Sequence, residues 1–349
     1  MKTNNKKVPI WLPYTSKIEL KGNTVKFIYK GGEYAADINT ILSILFYGSV
    51  CDLSEEFLQL CCRYRVPICI HRRNMPKAIW ITSSTTTSTK GDILTKQILF
   101  KANKKKSTHI ARKLLDAKFK SMDWLIPYPT KFLRAYYSID EMRNIEAWHG
   151  RVYWEKYFSL LGLPEHNRRG ADNNVKTILD AVSKLISGII LRYVTYHSLS
   201  PYHGFLHTPT EYPALIYDLV EPYRGYIDKT VFDTIRQAQE EKCEEKEIIG
   251  RCIAAVEHNL DETVYTDATR QIVTFQEILH GMVLALRSYL QNESAQLIVP
   301  VPGRPNDGRP VKAGYKLYGR SAGPTDFWVV AKELSQKHTQ KMDSDLGTI

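Results

Sequence analysis

The sequence has no apolar run long enough to cross a bilayer, and no signal peptide is expected from MKTNNKKVPI, which gives way to mixed polar residues. No membrane span or secretory route is expected, and the setting expected is intracellular and cytoplasmic. Cysteine is sparse and unpatterned. Cys51, Cys61, Cys62, Cys69, Cys243 and Cys252 form no CxxC pair and no even framework, which argues against a zinc ribbon and a disulfide scaffold. They read as reduced, mostly core residues. No internal repeat is visible, so a solenoid is not expected.

Positive charge is abundant: 48 Lys plus Arg against 37 Asp plus Glu give a formal net charge of +11. A surplus of that size favours a polyanionic partner. It is also local. Residues 96–120, KQILFKANKKKSTHIARKLLDAKFK, hold nine Lys or Arg against one acid, which reads as a basic nucleic-acid face or as an ordinary solvated helix face.

A chain of 349 residues can bury a full core, and its length favours two domains or one with an appendage. Residues 8–82 are strand-like, with KIELKG, TVKFIYKGGEYAAD, VPICIHRR and AIWITSS broken by Gly, Pro and Asn. One helix is embedded there, over Leu53–Tyr64, with Ser54 as N-cap and Glu55 and Glu56 in its first turn. SSTTTSTKGD at 83–92 is a linker, and the boundary falls near residue 90. From 91 to 295 apolar residues recur at helical spacing, in IARKLLDAKF, VKTILDAVSKLISGIILRYV and TFQEILHGMVLALRSYL. The fold class expected is α+β, a β-rich domain over 1–90 followed by a larger all-α domain over 91–295. The tail, 296–349, is rich in Gly, Pro and basic residues, then resumes an ordered pattern in TDFWVVAKELSQ; it reads as a hairpin or a docking arm for DNA or a partner.

The chemistry concentrates in LSPYHGFLHTPTEYPALIYDLVEPYRGYIDK, residues 199–229. His207 lies on a loop leading to a helix, where a neutral imidazole can face a cleft. Asp218 and Glu221 are three apart, so a helix puts both carboxylates on one face, with Arg224 on the same stripe. A surface salt-bridge ladder would have that spacing too, but Leu215, Ile216, Leu219 and Val220 make the segment apolar, and buried acids need a cation. Pro222 places Glu221 at a kink or helix end. A further acid, Glu146, opens an aromatic helix in NIEAWHGRVYWEKYFSLLG, and Gly150 four residues on leaves room above it for a close partner.

These residues resemble the CRISPR spacer-acquisition integrases, the Cas-one family, over roughly residues 34–235. The most specific part is GFLH at 204–207 followed by DLVEPYR at 218–224; IEAWHGRVYW at 145–154, DINTILSILFYGSVCDLSEEFLQLCCRYRVPICI at 37–70 and KQILFKANKKKSTHIARKLLDAKF at 96–119 support it. Two departures stand out: Ala147 replaces a usual glycine, and ADNNVKTILD at 171–180 matches only loosely. The resemblance implies that Glu146, His207 and Glu221 are metal ligands and catalytic, with Asp218 beside them. It implies Mg²⁺ or Mn²⁺, which the mixed oxygen and nitrogen set suits. The activity implied is a DNA endonuclease and integrase of antiviral defence that inserts short prespacers into a CRISPR repeat array. The partners implied are double-stranded DNA, a second copy through a β-rich dimerisation domain, and the small ferredoxin-like protein Cas-two, with no membrane. Two other readings stay open: a zinc metallohydrolase built on His203-x-x-x-His207, and a non-catalytic basic helical module that binds nucleic acid.

Overall fold

A computed structural model of the chain describes residues 6–72, 75, 77–83, 92–130, 138–163, 174–207, 212–303 and 313–322. The chain divides into two compact units, Met1–Glu257 and His258–Ile349.

The first unit begins with strands. β1 (Val8–Pro13), β5 (Ile41–Tyr47), β6 (Ile68–His71) and β7 (Ile79–Ile81) form one sheet in the order β1-β5-β6-β7. β1 and β6 run parallel to β5, with Ile10 opposite Ile44 and Ile44 opposite Ile68, and β7 closes the edge antiparallel. β2 (Thr15–Lys21), β3 (Thr24–Tyr29) and β4 (Gly32–Asp37) form a separate antiparallel meander. β5 reads ILSILFY and every residue in it is buried, the pattern of a strand covered on both faces. Phe46 from β5, Phe27 from β3 and Phe57 from helix α1 (Glu55–Tyr64) meet edge to face, with ring centroids 6.1–6.4 Å apart. Helix α1 starts as expected: Ser54 caps it by accepting from the Phe57 N–H.

The helices that follow are α2 (Ile93–Ala102), α3 (Lys104–Ser121), α4 (Ile139–Leu160), α5 (Asn174–Tyr196), α6 (Ala214–Val220), α7 (Arg224–Glu240) and α8 (Glu245–Asp261). A 3-10 turn, Glu221–Tyr223, joins α6 to α7. α5 is apolar along most of its length and packs on β5, β1 and β6. There Arg192 donates to the carbonyls of Leu42 (3.3 Å) and Arg65 (2.7 Å), which compensates part of the cost of burying its charge. α3 is the hub on the other side, packed on α2, α4, α6, α7 and the 3-10 turn. Gly225 sets the α3–α7 approach: a Cβ there would lie 2.1 Å from the Ser121 carbonyl oxygen, and the Gly225 N–H donates to Ser121 Oγ at 3.1 Å. Around that crossing Trp124, Tyr153, Tyr157 and Phe232 form an aromatic cluster.

The second unit holds β8 (Thr263–Thr266), β9 (Gln271–Thr274), helix α9 (Phe275–Leu290) and β10 (Arg320–Ser321), with sheet order β10-β9-β8. The expectation of helix alone through residue 295 is corrected here. β-branched residues in TVYT and QIVT flank a short turn and pair antiparallel, Val264 opposite Val273. Part of the basic tail docks on this unit. The Gln271 side-chain amide donates to the carbonyls of Leu317 and Gly319 and accepts from the Leu317 N–H, which holds β10 beside β9. Most of the 83–92 linker, and TDFWVVAKELSQ, lie outside the described residues. Among the described residues no helix is long and apolar enough to cross a membrane.

Candidate active site

Helix α3 buries Ile110, Ala111, Leu114, Leu115 and Phe119. Lys118 lies four residues after Leu114 and three after Leu115, so it belongs to that inward stripe and its side chain enters the interior. Its ammonium stands 2.5 Å from Glu146 Oε1 and 2.6 Å from Glu221 Oε2, with the Lys118 side chain only 9% exposed. One residue of the basic 96–120 stretch is therefore part of a buried ion cluster, not of a solvated face.

Glu146 comes from the middle of α4. Glu221 sits where α6 ends: the following Pro222 has no N–H to continue the helix, and the backbone tightens into the 3-10 turn, as the sequence predicted. Glu221 Oε1 accepts from Arg224 at 3.3 Å. Glu221 Oε2 is buried and has no directed hydrogen bond, so its contact with Lys118 is charge against charge.

Asp218 is fully buried and orders the loop before α6. One carboxylate oxygen accepts from the N–H groups of Phe205 (2.5 Å) and Leu206 (3.0 Å); the other accepts from the His207 N–H (2.9 Å) and meets His207 Nδ1 at 2.7 Å. The loop closes around the carboxylate only because residue 204 is glycine: a Cβ there would lie 2.6 Å from the His207 carbonyl oxygen and 2.9 Å from Asp218 Oδ2. Asp218 thus acts through His207. A carboxylate on Nδ1 fixes the ring and puts the proton on that nitrogen, leaving Nε2 as the acceptor or ligand atom of the neutral imidazole.

The charges tune one another. Burial alone would push the Glu221 carboxyl up, but Arg224, Lys118 and His207 outweigh it and hold the carboxyl well below the usual range. Burial would push the His207 imidazole down, but the hydrogen bond and charge of Asp218, with Glu221 and Glu146 further off, raise it. Lys118 is held charged despite burial, by Glu221 and Glu146.

A cavity of about 490 Å³ opens beside this cluster. His207, Glu221 and Arg224 line one part of it; Lys184, Tyr217, Lys77 and Trp80 line others. The Lys184 ammonium donates to the Tyr217 hydroxyl at 3.0 Å. The wall is therefore cationic and aromatic, suited to a phosphate and a flat ring. Of the predicted residues, His207 and Glu221 reach the cavity, Asp218 stands behind His207, and Glu146 joins through Lys118. Sequence reasoning missed Lys118, Lys184, Lys77 and Trp80. Only Lys118 carried a signal, a lysine at helical spacing from buried leucines.

Among the described residues no three His, Cys, Asp or Glu side chains are set as a metal cage. The donor chemistry nevertheless fits a hard divalent cation. Two carboxylates from different elements share one cation already, the Lys118 ammonium, and one of their buried oxygens lacks a directed partner. The alternative zinc pair does not form its helical spacing: residues 201–207 are turn and loop, and the His203 carbonyl is tied to the Gln97 side chain at 2.9 Å. Gly150 faces open space, so no part of the described chain uses the room left above Glu146.

Comparison with known proteins gives the arrangement its relatives. A curated CRISPR-associated endonuclease Cas1 from Korarchaeum cryptofilum is 32% identical over 115 residues, covering 28% of this chain and 33% of that protein. The chain thus matches about a third of that relative's length. A casposase bound to integration product shares the fold with a TM-score of 0.70 at 20% identity, over 84% of this chain and 92% of the casposase. A Cas1 protein from Thermotoga maritima shares it with a TM-score of 0.67 at 19% identity, over 85% of this chain and all of that one, 100%. The family model for CRISPR associated protein Cas1 matches residues 12–254, which takes in β2 to β7, the end of β1 and every residue of the ion cluster. The chain therefore belongs to the Cas1 family.

Proposed function

We propose that this protein is a divalent-metal-dependent DNA integrase and endonuclease that joins short DNA fragments into a CRISPR repeat array, as part of antiviral defence. The observation that carries the reading is the buried Glu146–Lys118–Glu221 cluster with an Asp218-oriented His207 beside it, opening on a cationic and aromatic cavity. Family membership and the casposase likeness support the same chemistry.

In the reaction a DNA 3′-hydroxyl attacks a phosphodiester, one P–O bond forms and one breaks; with water as nucleophile the same step is cleavage. Mg²⁺ or Mn²⁺ held by Glu146, His207 and Glu221 would polarise the scissile phosphate and stabilise the leaving oxygen. Asp218 keeps His207 in one orientation and one tautomer. Arg224 steadies Glu221 and adds positive charge at the cavity wall. Lys184, seated over the Tyr217 ring, and Lys77 neutralise phosphates, while Trp80 offers a ring to bases. The partners proposed are double-stranded prespacer and repeat DNA, a second copy of the chain, and the small protein Cas2.

The test uses a labelled duplex with free 3′-hydroxyls and a supercoiled plasmid carrying repeats. Joined product is expected in Mg²⁺ or Mn²⁺ and none with chelator; His207→Ala and Glu221→Gln should each lose about a hundredfold or more. No joined or cleaved product in either metal would sink the reading, and rescue by zinc alone would replace it with the metallohydrolase.

A further inference from the structure

We propose that Lys118 is a built-in counter-ion that holds the two acidic ligands together in the metal-free protein and leaves them when a divalent cation binds. This rests on the metal reading above and adds how the site is kept and loaded.

Glu146 stands on α4 and Glu221 on the 3-10 turn after α6, two elements with no covalent reason to stay in register at their carboxylates. Without a cation between them, two largely buried negative charges repel. A single ammonium, 2.5 Å from one and 2.6 Å from the other, removes that repulsion. Its stem lies along the apolar stripe of α3, so the head is delivered to this point and not elsewhere.

A divalent ion shared by both carboxylates would take the place of the ammonium, because metal–oxygen distances of about 2.0–2.1 Å for Mg²⁺ leave no room for both between them. A lysine serving packing alone would stay in place, and its removal would loosen the ligands and weaken metal binding. Exchange predicts the opposite.

The experiment measures Mn²⁺ binding to the full, DNA-free chain by the spectroscopic signal of free Mn²⁺, together with the melting temperature in chelator and in Mn²⁺. Lys118→Met should bind Mn²⁺ at least about tenfold more tightly than the wild type, because a competing charge within a few ångströms is gone. It should melt lower in chelator and gain more from Mn²⁺. Equal or weaker Mn²⁺ affinity overturns the proposal. Glu221→Gln run alongside separates the two levels: if it binds Mn²⁺ like the wild type, the metal reading itself fails. Should Lys118→Met not fold, the wild type decides. Acetylation of Lys118, followed by mass spectrometry, should rise severalfold in Mn²⁺ over chelator, and an equal or lower yield overturns the exchange.

Discussion

The β-rich layer and the helical core of the first unit bury side chains equally deeply but solve burial differently. Among the described residues of 8–82 the buried polar side chains are Thr15, Ser43 and His71, with no acid, lysine or arginine. Among the helices Lys118, Arg192, Asp218, Glu221 and Asp228 are all buried. The first region is held by contact and shape, which any apolar set of similar volume can supply. The second carries charges that a folded chain would shed if stability were all that mattered, because replacing buried ion pairs by apolar residues is often neutral or stabilising. Lys118, Asp218 and Glu221 are tied to one another or to His207 beside the cavity, and it is this subset of the buried charges that carries the proposed site.

The sharpest way to break that comparison is to damage the apolar core of the β-rich layer, apart from the Lys77 and Trp80 that line the cavity. Phe46→Ala removes a ring in contact with Phe27 and Phe57 and should destabilise by about 3–5 kcal/mol in urea unfolding. The molecules still folded should bind Mn²⁺ as the wild type does. Altered Mn²⁺ affinity in the folded fraction would show that the two regions are not separable.

Asp218→Asn works on the other side and should cost stability less and chemistry more. Strand transfer should fall about 10–100-fold, the usual loss when the group orienting a metal-bound histidine is changed. The sign of the pH effect follows from His207. Its folded-state pKa is raised above 6.5, chiefly by Asp218 against the opposing effect of burial. The pair's contribution to stability is therefore complete below pH 6.5 and lost as pH rises through the folded-state pKa. NMR titration of the His207 ring in chelator should show that raised value in the wild type and a clear drop in the variant. A wild-type ring titrating at or below 6.5 would mean that Asp218 does not hold the imidazole as the distances say.

How much of this was legible follows the same division. Ser54 as a cap, Pro222 as the reason Glu221 ends a helix, and strands in residues 8–82 are local effects, and local sequence carries them. Asp218 was legible as an acid beside the expected ligands, but its pairing with His207 and its grip on three backbone N–H groups depend on how a loop folds back, which spacing does not encode. Lys118 was hidden by its neighbours: within nine basic residues it reads as surface, and only its register with Leu114 and Leu115 sets it apart. The β8–β9 pair was missed because two four-residue strands between long helical patterns are too short for periodicity to register. The cavity's Lys77 and Trp80 come from the β-rich region and Lys184 from α5, a meeting made only by tertiary folding.

The smallest effect tests the comparison most finely. Ser54 accepts one hydrogen bond from the Phe57 N–H at 3.2 Å, and its helix packs Phe57 into the apolar core. Ser54→Ala leaves that donor without its cap and should cost about 1 kcal/mol. The side chain bears no charge and touches no member of the ion cluster, so neither the His207 titration nor Mn²⁺ affinity should move. If so small a change in the β-rich layer shifted either readout, the ion cluster would depend on the exact seating of that layer through α5. The two regions would then form one mechanical element, and burial of charge would no longer be enough to locate the working part of the molecule.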